Sequence, residues 1–285
     1  MQQKRKSALL AGICLMVLGC SFGLSENRVF AAEKNEENMD TAEFVTEGTE
    51  EYRGFILDNV LHTEQNGDIH YNLYVPESYD GSRPYALFFT LPGYEGLYFQ
   101  GVGENLYSEN FGFEAQNYIR DMIIVAPQLS DWGETLADQT IALVEYFFDH
   151  YNIDKTRVFG EGYSGGGETM SQVMGKRPDL FTAYLQCSSQ WDGAYEPVVE
   201  SRTPVYLVIG ESDEYYGSEP SKEAYSELYD LYRQEGFSEE EINELLVLDI
   251  KDASYFESRG ADSQHGGGGL FAEDDAIMGW LFHRS

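Results

Sequence analysis

The sequence predicts an α/β fold: a mostly parallel sheet with helices on both faces and an antiparallel hairpin leading into it. Three observations predict it. Tyr85 to Leu91 and Met122 to Val125 are unbroken apolar runs, as in strands buried on both faces. Phe55 to Thr63 and Ile69 to Val75 flank Asn66-Gly67, a turn signal between antiparallel strands. Strand-like and helix-like segments then alternate toward the C-terminus, which requires parallel strands joined by helical crossovers.

Taken in order, residues 1–31 read as a cleaved signal peptide. Lys4-Arg5-Lys6 is a positive start, Ala8 to Gly19 is apolar throughout, and the polar stretch after it ends in Ala31-Ala32, small residues suited to cleavage. The apolar run is short for a bilayer span. Val17-Leu18-Gly19-Cys20 also resembles a bacterial lipobox, so lipidation at Cys20 is the alternative. The chain is therefore expected to be secreted, or else held as a lipoprotein on the outer face of the cell membrane. Residues 32–51 are acidic and poor in large apolar side chains, and read as a disordered linker. Residues 52–285 read as one domain. After the hairpin and the two apolar runs, Ile141, Val144, Phe147 and Tyr151 follow helical spacing. A strand then runs into Ser164, and a helix follows from Glu168 to Lys176. Strands are expected at Thr182 to Cys187, Val205 to Ile209 and Leu245 to Ile250, with helices at Lys222 to Gln234 and Asp274 to Phe282. The sequence shows no internal repeat.

Composition excludes several partners. Against 18 basic residues stand 50 acidic ones, a formal charge of −32. Removing residues 1–31 takes away four cations and one anion, which leaves the remainder more acidic still. Such a surface repels nucleic acid and anionic lipid. Of the three cysteines, Cys14 and Cys20 lie in the export segment, so Cys187 stands alone and stability has to come from core burial.

The chemistry centres on Gly162-Tyr163-Ser164-Gly165-Gly166, a Gly-x-Ser-x-Gly stretch between a strand and a helix. Such a turn projects one hydroxyl into a cleft, over a helix N-terminus. An alcohol is a weak nucleophile at neutral pH and needs a base that is itself oriented by an acid. His62, His70, His150 and His283 read as surface or packing residues. His265, in Ser263-Gln264-His265-Gly266-Gly267, follows the last strand's connection and is the candidate base. Asp213, after the strand Val205 to Ile209, is the candidate acid, with Glu211 and Glu214 as local competitors. The order Ser, Asp, His reproduces the one known for one particular fold that carries its serine on such a turn. Oxyanion donors are expected from the N–H of Gly165 and from the loop Pro92-Gly93-Tyr94, through Tyr94 or else Gly93.

On these residues the chain resembles the α/β-hydrolases over roughly Tyr52 to Ser285. It is similar to secreted esterases of the feruloyl esterase and polyhydroxyalkanoate depolymerase type, and equally to predicted peptidases related to prolyl oligopeptidase. The resemblance implies Ser164 as nucleophile, Asp213 and His265 as its triad partners, and Tyr94 and Gly165 as the oxyanion hole. Pro92-Gly93 stands where many relatives have His-Gly. The implied reaction is hydrolysis of a carboxylic ester, with a peptide bond as the alternative. A non-catalytic carbohydrate-binding protein on the same fold is the remaining reading. The short connection from Cys187 to Val205 leaves no room for a large lid there, so an open site for a bulky, polymeric or plant-wall ester is expected. Trp191 and Tyr98 are the expected substrate-binding aromatics. Gly160-x-Gly162-x-x-Gly165 also matches a dinucleotide fingerprint, but Asp179 precedes its strand rather than ending it. No cofactor is expected and no metal site, Asp274-Asp275 reading as helix-starting residues.

Overall fold

The computed structural model describes residues 43–284. The expected signal peptide, the Cys20 lipobox and residues 32–42 of the expected linker lie outside the described residues. The hairpin strands are β3 (Phe55–Thr63) and β4 (Gly67–Tyr74), preceded by two short strands, β1 (Phe44–Thr46) and β2 (Glu50–Tyr52). Both pair antiparallel with β3. The linker expectation is therefore corrected for its last residues: backbone pairing, which composition does not report, recruits Phe44 to Tyr52 into the sheet.

The remaining strands are β5 (Tyr85–Leu91), β6 (Met122–Pro127), β7 (Ile153–Tyr163), β8 (Ala183–Cys187), β9 (Val205–Gly210) and β10 (Leu246–Lys251). Their order across the sheet is β1-β3-β4-β6-β5-β7-β8-β9-β10. From β6 onward every pairing is parallel, and β4 joins β6 antiparallel. The chain steps outward from β5 to β6 and then returns to lay β7 on the other side of β5. That reversal opens a crevice beyond the carboxyl ends of β5 and β7.

The sheet divides the core in two. Along β5, Tyr85, Leu87, Phe89 and Leu91 face one cluster while Ala86 and Phe88 face the other, although all are apolar. The first face is covered by α3 (Glu134–His150), α4 (Gly165–Lys176) and α6 (Glu219–Gln234), through residues such as Phe147, Met170 and Leu228. The second is covered by residues of α2 (Phe111–Glu114), α8 (Ala253–Glu257) and α9 (Asp275–Phe282), among them Phe111, Phe256 and Ile277. Asp274 caps α9, its carboxylate accepting from the Ala276 N–H at 3.0 Å. Three more short helices, α1 (Glu104–Ser108), α5 (Glu196–Ser201) and α7 (Glu239–Leu245), were not evident in the sequence; each is too short for a helical period to register. Among the described residues no helix is long and apolar enough to cross a membrane.

The N-terminal turn of α4 is pressed against the end of β5. A Cβ on Gly166 would overlap the carbonyl oxygens of Leu91 and Pro92. Because these are backbone atoms of the central strand, they have nowhere to move. Gly166→Ala is expected to cost about 1–3 kcal/mol in overpacking, measurable as a fall of about 3–10 °C in Tm. An unchanged Tm would mean that α4 sits further from β5.

Candidate active site

Between β7 and α4 the chain reverses within one residue. Ser164 has φ 53° and ψ −126°, a left-handed conformation rare outside glycine. Its backbone is held on both sides. The N–H donates to the Cys187 carbonyl at 2.9 Å, and the carbonyl accepts from the Ser189 hydroxyl at 2.6 Å and the Gly167 N–H at 2.8 Å. These bonds make the strained geometry the only one available.

The structure brings Ser164, His265 and Asp213 into one line. Ser164 Oγ lies 3.1 Å from His265 Nε2, and His265 Nδ1 lies 2.9 Å from Asp213 Oδ2. The Asp213 side chain is fully buried, and its other oxygen accepts the N–H groups of Tyr215 and Tyr216 at 3.0 and 2.9 Å. With both oxygens engaged, the carboxylate cannot rotate away from the imidazole. Glu211 and Glu214 do not occupy that place. Glu214 instead grips the histidine's backbone, accepting the N–H of His265 at 2.8 Å and of Gln264 at 2.9 Å. Those two N–H bonds hold its carboxyl below the usual carboxylate range.

Further contacts fix the ring. The Tyr163 hydroxyl donates to the His265 carbonyl at 2.6 Å. The Tyr163 and Tyr215 rings stack on the imidazole at 5.8 and 5.4 Å, and Tyr216 meets it edge-on at 5.6 Å. The Tyr216 hydroxyl donates to Glu168 at 2.7 Å; burial raises the pKa of both groups, with the shared bond acting upward on the phenol and downward on the carboxyl. The other histidines are occupied elsewhere: His62 with Asp68, His70 with Asp58, His150 with the Tyr146 carbonyl, and His283 at the C-cap of α9.

The loop after β5 lies against the serine. A Cβ on Gly93 would stand 3.3 Å from Ser164 Cβ and 2.9 Å from the Tyr163 ring. Gly93 N–H is taken by Glu109 Oε1 at 2.7 Å, which removes it as an oxyanion donor. The N–H groups of Tyr94 and Gly165 each open a helical turn and have no protein acceptor among the described residues. Trp132 packs directly over Gly165, closing one side of the cleft.

Two expected substrate residues are engaged in packing. Trp191 is 9% exposed and part of the core, its indole N–H bonded to the Gly193 carbonyl at 2.9 Å and its ring stacked on Tyr195. Tyr98 stacks on His70 of the hairpin at 4.0 Å. Trp191 thus has no free face for a ligand, and Tyr98 has one face taken by His70. The exposed aromatics near the site are Tyr94, Phe99 and Tyr215.

Sequence reasoning missed two buried carboxyls beneath this site. Glu161, on β7, is fully buried and accepts from the Thr90 hydroxyl of β5 at 2.7 Å. Its position in the otherwise uncharged second half of β7, residues 158–163, was the available signal. Glu109 lies between α1 and α2, where no periodicity marks it. Burial raises Glu161 far above its ordinary value, and the neighbouring Glu109 adds to the effect. Burial likewise pushes Glu109 up to about 8, against the lowering effect of the Gly93 N–H.

Comparison with known proteins places the fold. Residues 129–192 match the prolyl oligopeptidase family. No curated protein matches the chain in sequence. A thermostable esterase of known structure is similar with a TM-score of 0.64 at 22% identity, over 81% of this chain and 63% of that one. Oligopeptidase B from Leishmania major aligns with a TM-score of 0.53 at 14% identity, over 80% of this chain and 36% of that one. Oligopeptidase B from Trypanosoma brucei, solved with covalently bound antipain, gives 0.54 at 15%, over 80% and 37%. The chain thus spans less than two thirds of the length of each. The chain has the α/β-hydrolase fold, as its motifs implied.

An acid with a raised folded-state value keeps its proton in the folded chain at pH values where the unfolded chain has released it. Its contribution to stability is complete below the ordinary value of 4.5 and is lost as pH rises toward about 8. Tm is therefore expected to fall between about pH 5 and pH 8, and to fall less steeply in Glu109→Gln. Parallel slopes in thermal scans of the two proteins would show that Glu109 ionises freely.

Proposed function

We propose that the chain is a serine hydrolase that cleaves carboxylic esters through an acyl-enzyme on Ser164. The observation that carries this reading is the continuous line from the Ser164 hydroxyl through the His265 imidazole to the buried Asp213 carboxylate. His265 Nε2 takes the hydroxyl proton as Ser164 Oγ bonds to the carbonyl carbon. Asp213 holds the ring in the tautomer that leaves Nε2 free and stabilises the imidazolium. The N–H groups of Tyr94 and Gly165 receive the developing oxyanion. As the intermediate collapses, the ester oxygen leaves with the proton from His265. Water then enters by the same path in reverse roles, releasing the acid and restoring Ser164.

An ester is favoured by the likeness to the thermostable esterase and by the cleft's exposed rim, with Tyr94 and Phe99 in edge contact at 5.6 Å. Between β8 and β9 only the short helix α5 intervenes, so a bulky or polymeric acyl or alcohol portion fits the reading. Peptide hydrolysis is the second reading, supported by the prolyl oligopeptidase match over residues 129–192. Export through residues 1–31 belongs to the proposal, and mass spectrometry of the mature N-terminus separates cleavage near Ala31 from lipidation at Cys20.

A serine-directed fluorophosphonate is expected to label the wild-type chain and not Ser164→Ala; labelling of both would place the nucleophile elsewhere. Asp213→Asn is expected to lower kcat by about 10⁴, and a loss below tenfold would remove Asp213 from the role of acid. Short p-nitrophenyl esters are expected to be turned over in preference to Xaa-Pro amides. The reverse preference would favour the peptidase, and turnover of neither with retained polysaccharide binding would favour a non-catalytic protein.

A further inference from the structure

Resting on the proposed serine hydrolase, we propose that Glu109 is a positioning residue for the oxyanion loop: by holding the Gly93 N–H it aims the next N–H, that of Tyr94, at the space beside Ser164 Oγ.

The far end of the loop is held by the Gln128 side-chain N–H bond to the Gly96 carbonyl at 3.4 Å and the Tyr98 N–H bond to the Leu129 carbonyl at 2.8 Å, which leaves its entrance to be fixed separately. The loop leaves β5 at Leu91 and passes into a single 3-10 turn, Tyr94–Gly96, whose N-cap is Gly93. A glycine offers no side chain to cap that turn, and no side-chain cap is present. Two bonds inside the loop, Gly96 N–H to the Gly93 carbonyl and Leu97 N–H to the Tyr94 carbonyl, shape the turn without tethering it to the rest of the protein. The tether at its entrance is the 2.7 Å bond from Gly93 N–H to Glu109 Oε1.

Glu109 is suited to this. It ends α1 at an extended C-cap residue and is 7% exposed, so its reach is set by packing rather than by solvent. The peptide plane between Gly93 and Tyr94 turns with its neighbours. A free Gly93 N–H would leave two adjacent donors competing for the same space, and rotation there would carry the Tyr94 N–H off line. A displacement on the order of 1 Å at such a donor is enough to lose about 10²-fold in rate. The carboxyl touches neither nucleophile nor base; it acts through the backbone of Gly93.

The test is steady-state hydrolysis of p-nitrophenyl butyrate by the full chain, with kcat and KM resolved. Glu109→Met keeps the bulk and removes the acceptor; it is expected to lower kcat by about 10²-fold with KM within about threefold. Glu109→Gln keeps an acceptor oxygen and is expected to hold kcat within about fivefold of wild type. Glu109→Asp withdraws the oxygen by one methylene and is expected to lower kcat by about tenfold. A folded Glu109→Met with kcat within about threefold of wild type, or with its loss confined to KM, would overturn the proposal. Should that variant fail to fold, the Gln and Asp variants decide, and equal kcat in both would overturn it. Turnover that Ser164→Ala does not abolish would remove the hydrolase reading together with this one. Turnover abolished by Ser164→Ala and indifferent to Glu109 would remove the positioning role alone.

Discussion

Everything at this site depends on one residue being forced to reverse the chain. Ser164 sits at φ 53° between the longest strand and α4, a conformation that costs about 1–3 kcal/mol and persists only where the surroundings allow no other. The surroundings do so by crowding. The Gly162 position leaves 2.6 Å between a would-be Cβ and the Gly166 carbonyl oxygen, so strand and helix meet backbone to backbone. Gly162 and Gly166 contribute space rather than chemistry. They let α4 come close enough that its first N–H groups lie under the serine.

The electrostatics around that turn are unusual in sign. Around Ser164 and His265 stand the carboxyls of Asp213, Glu214, Glu168, Glu109 and Glu161, and among the described residues none of them forms an ion pair with a lysine or arginine. Backbone N–H groups and hydroxyls supply the compensation instead. That choice has a physical advantage: a peptide N–H is fixed by the fold, whereas a long cationic side chain has to be ordered first. It also separates the carboxyls by role. Asp213 and Glu214 meet two N–H groups each, whereas Glu161 has one hydroxyl donor and one oxygen without a hydrogen-bond partner. Burial raises its pKa, and the neighbouring Glu109 adds to the rise.

Much of this was legible in the sequence because it rests on local patterns. The apolar runs of β5 and β6, the Asn66-Gly67 hairpin and the glycines around Ser164 each mark their element within a few residues. Asp213 and His265 were legible by chain order, and the structure places His265 beside Ser164 with Asp213 behind it. The sheet's strand order was not, since nothing in Met122 to Pro127 says that β6 lies outside β5. Trp191 was misread for a related reason: a sequence shows that an aromatic is near a strand end, not which of its faces is covered. Glu109 was out of reach entirely, because its partner lies 16 residues away across a loop.

The two halves of the site are held by different kinds of structure. Ser164 and the loop after β5 are built into the centre of the sheet. His265 caps a 3-10 turn, Gly266–Glu273, that is anchored at its far end by buried Phe271 and Ala272, whereas around His265 itself the ties to Glu214, Ser212 and Ser263 are solvent-exposed hydrogen bonds and the Tyr163 bond is the part-buried one. Segments fastened in that way open at lower free energy than the sheet they rest on. Loss of activity on heating is therefore expected to set in as the imidazole detaches, ahead of the unpairing of the strands beneath.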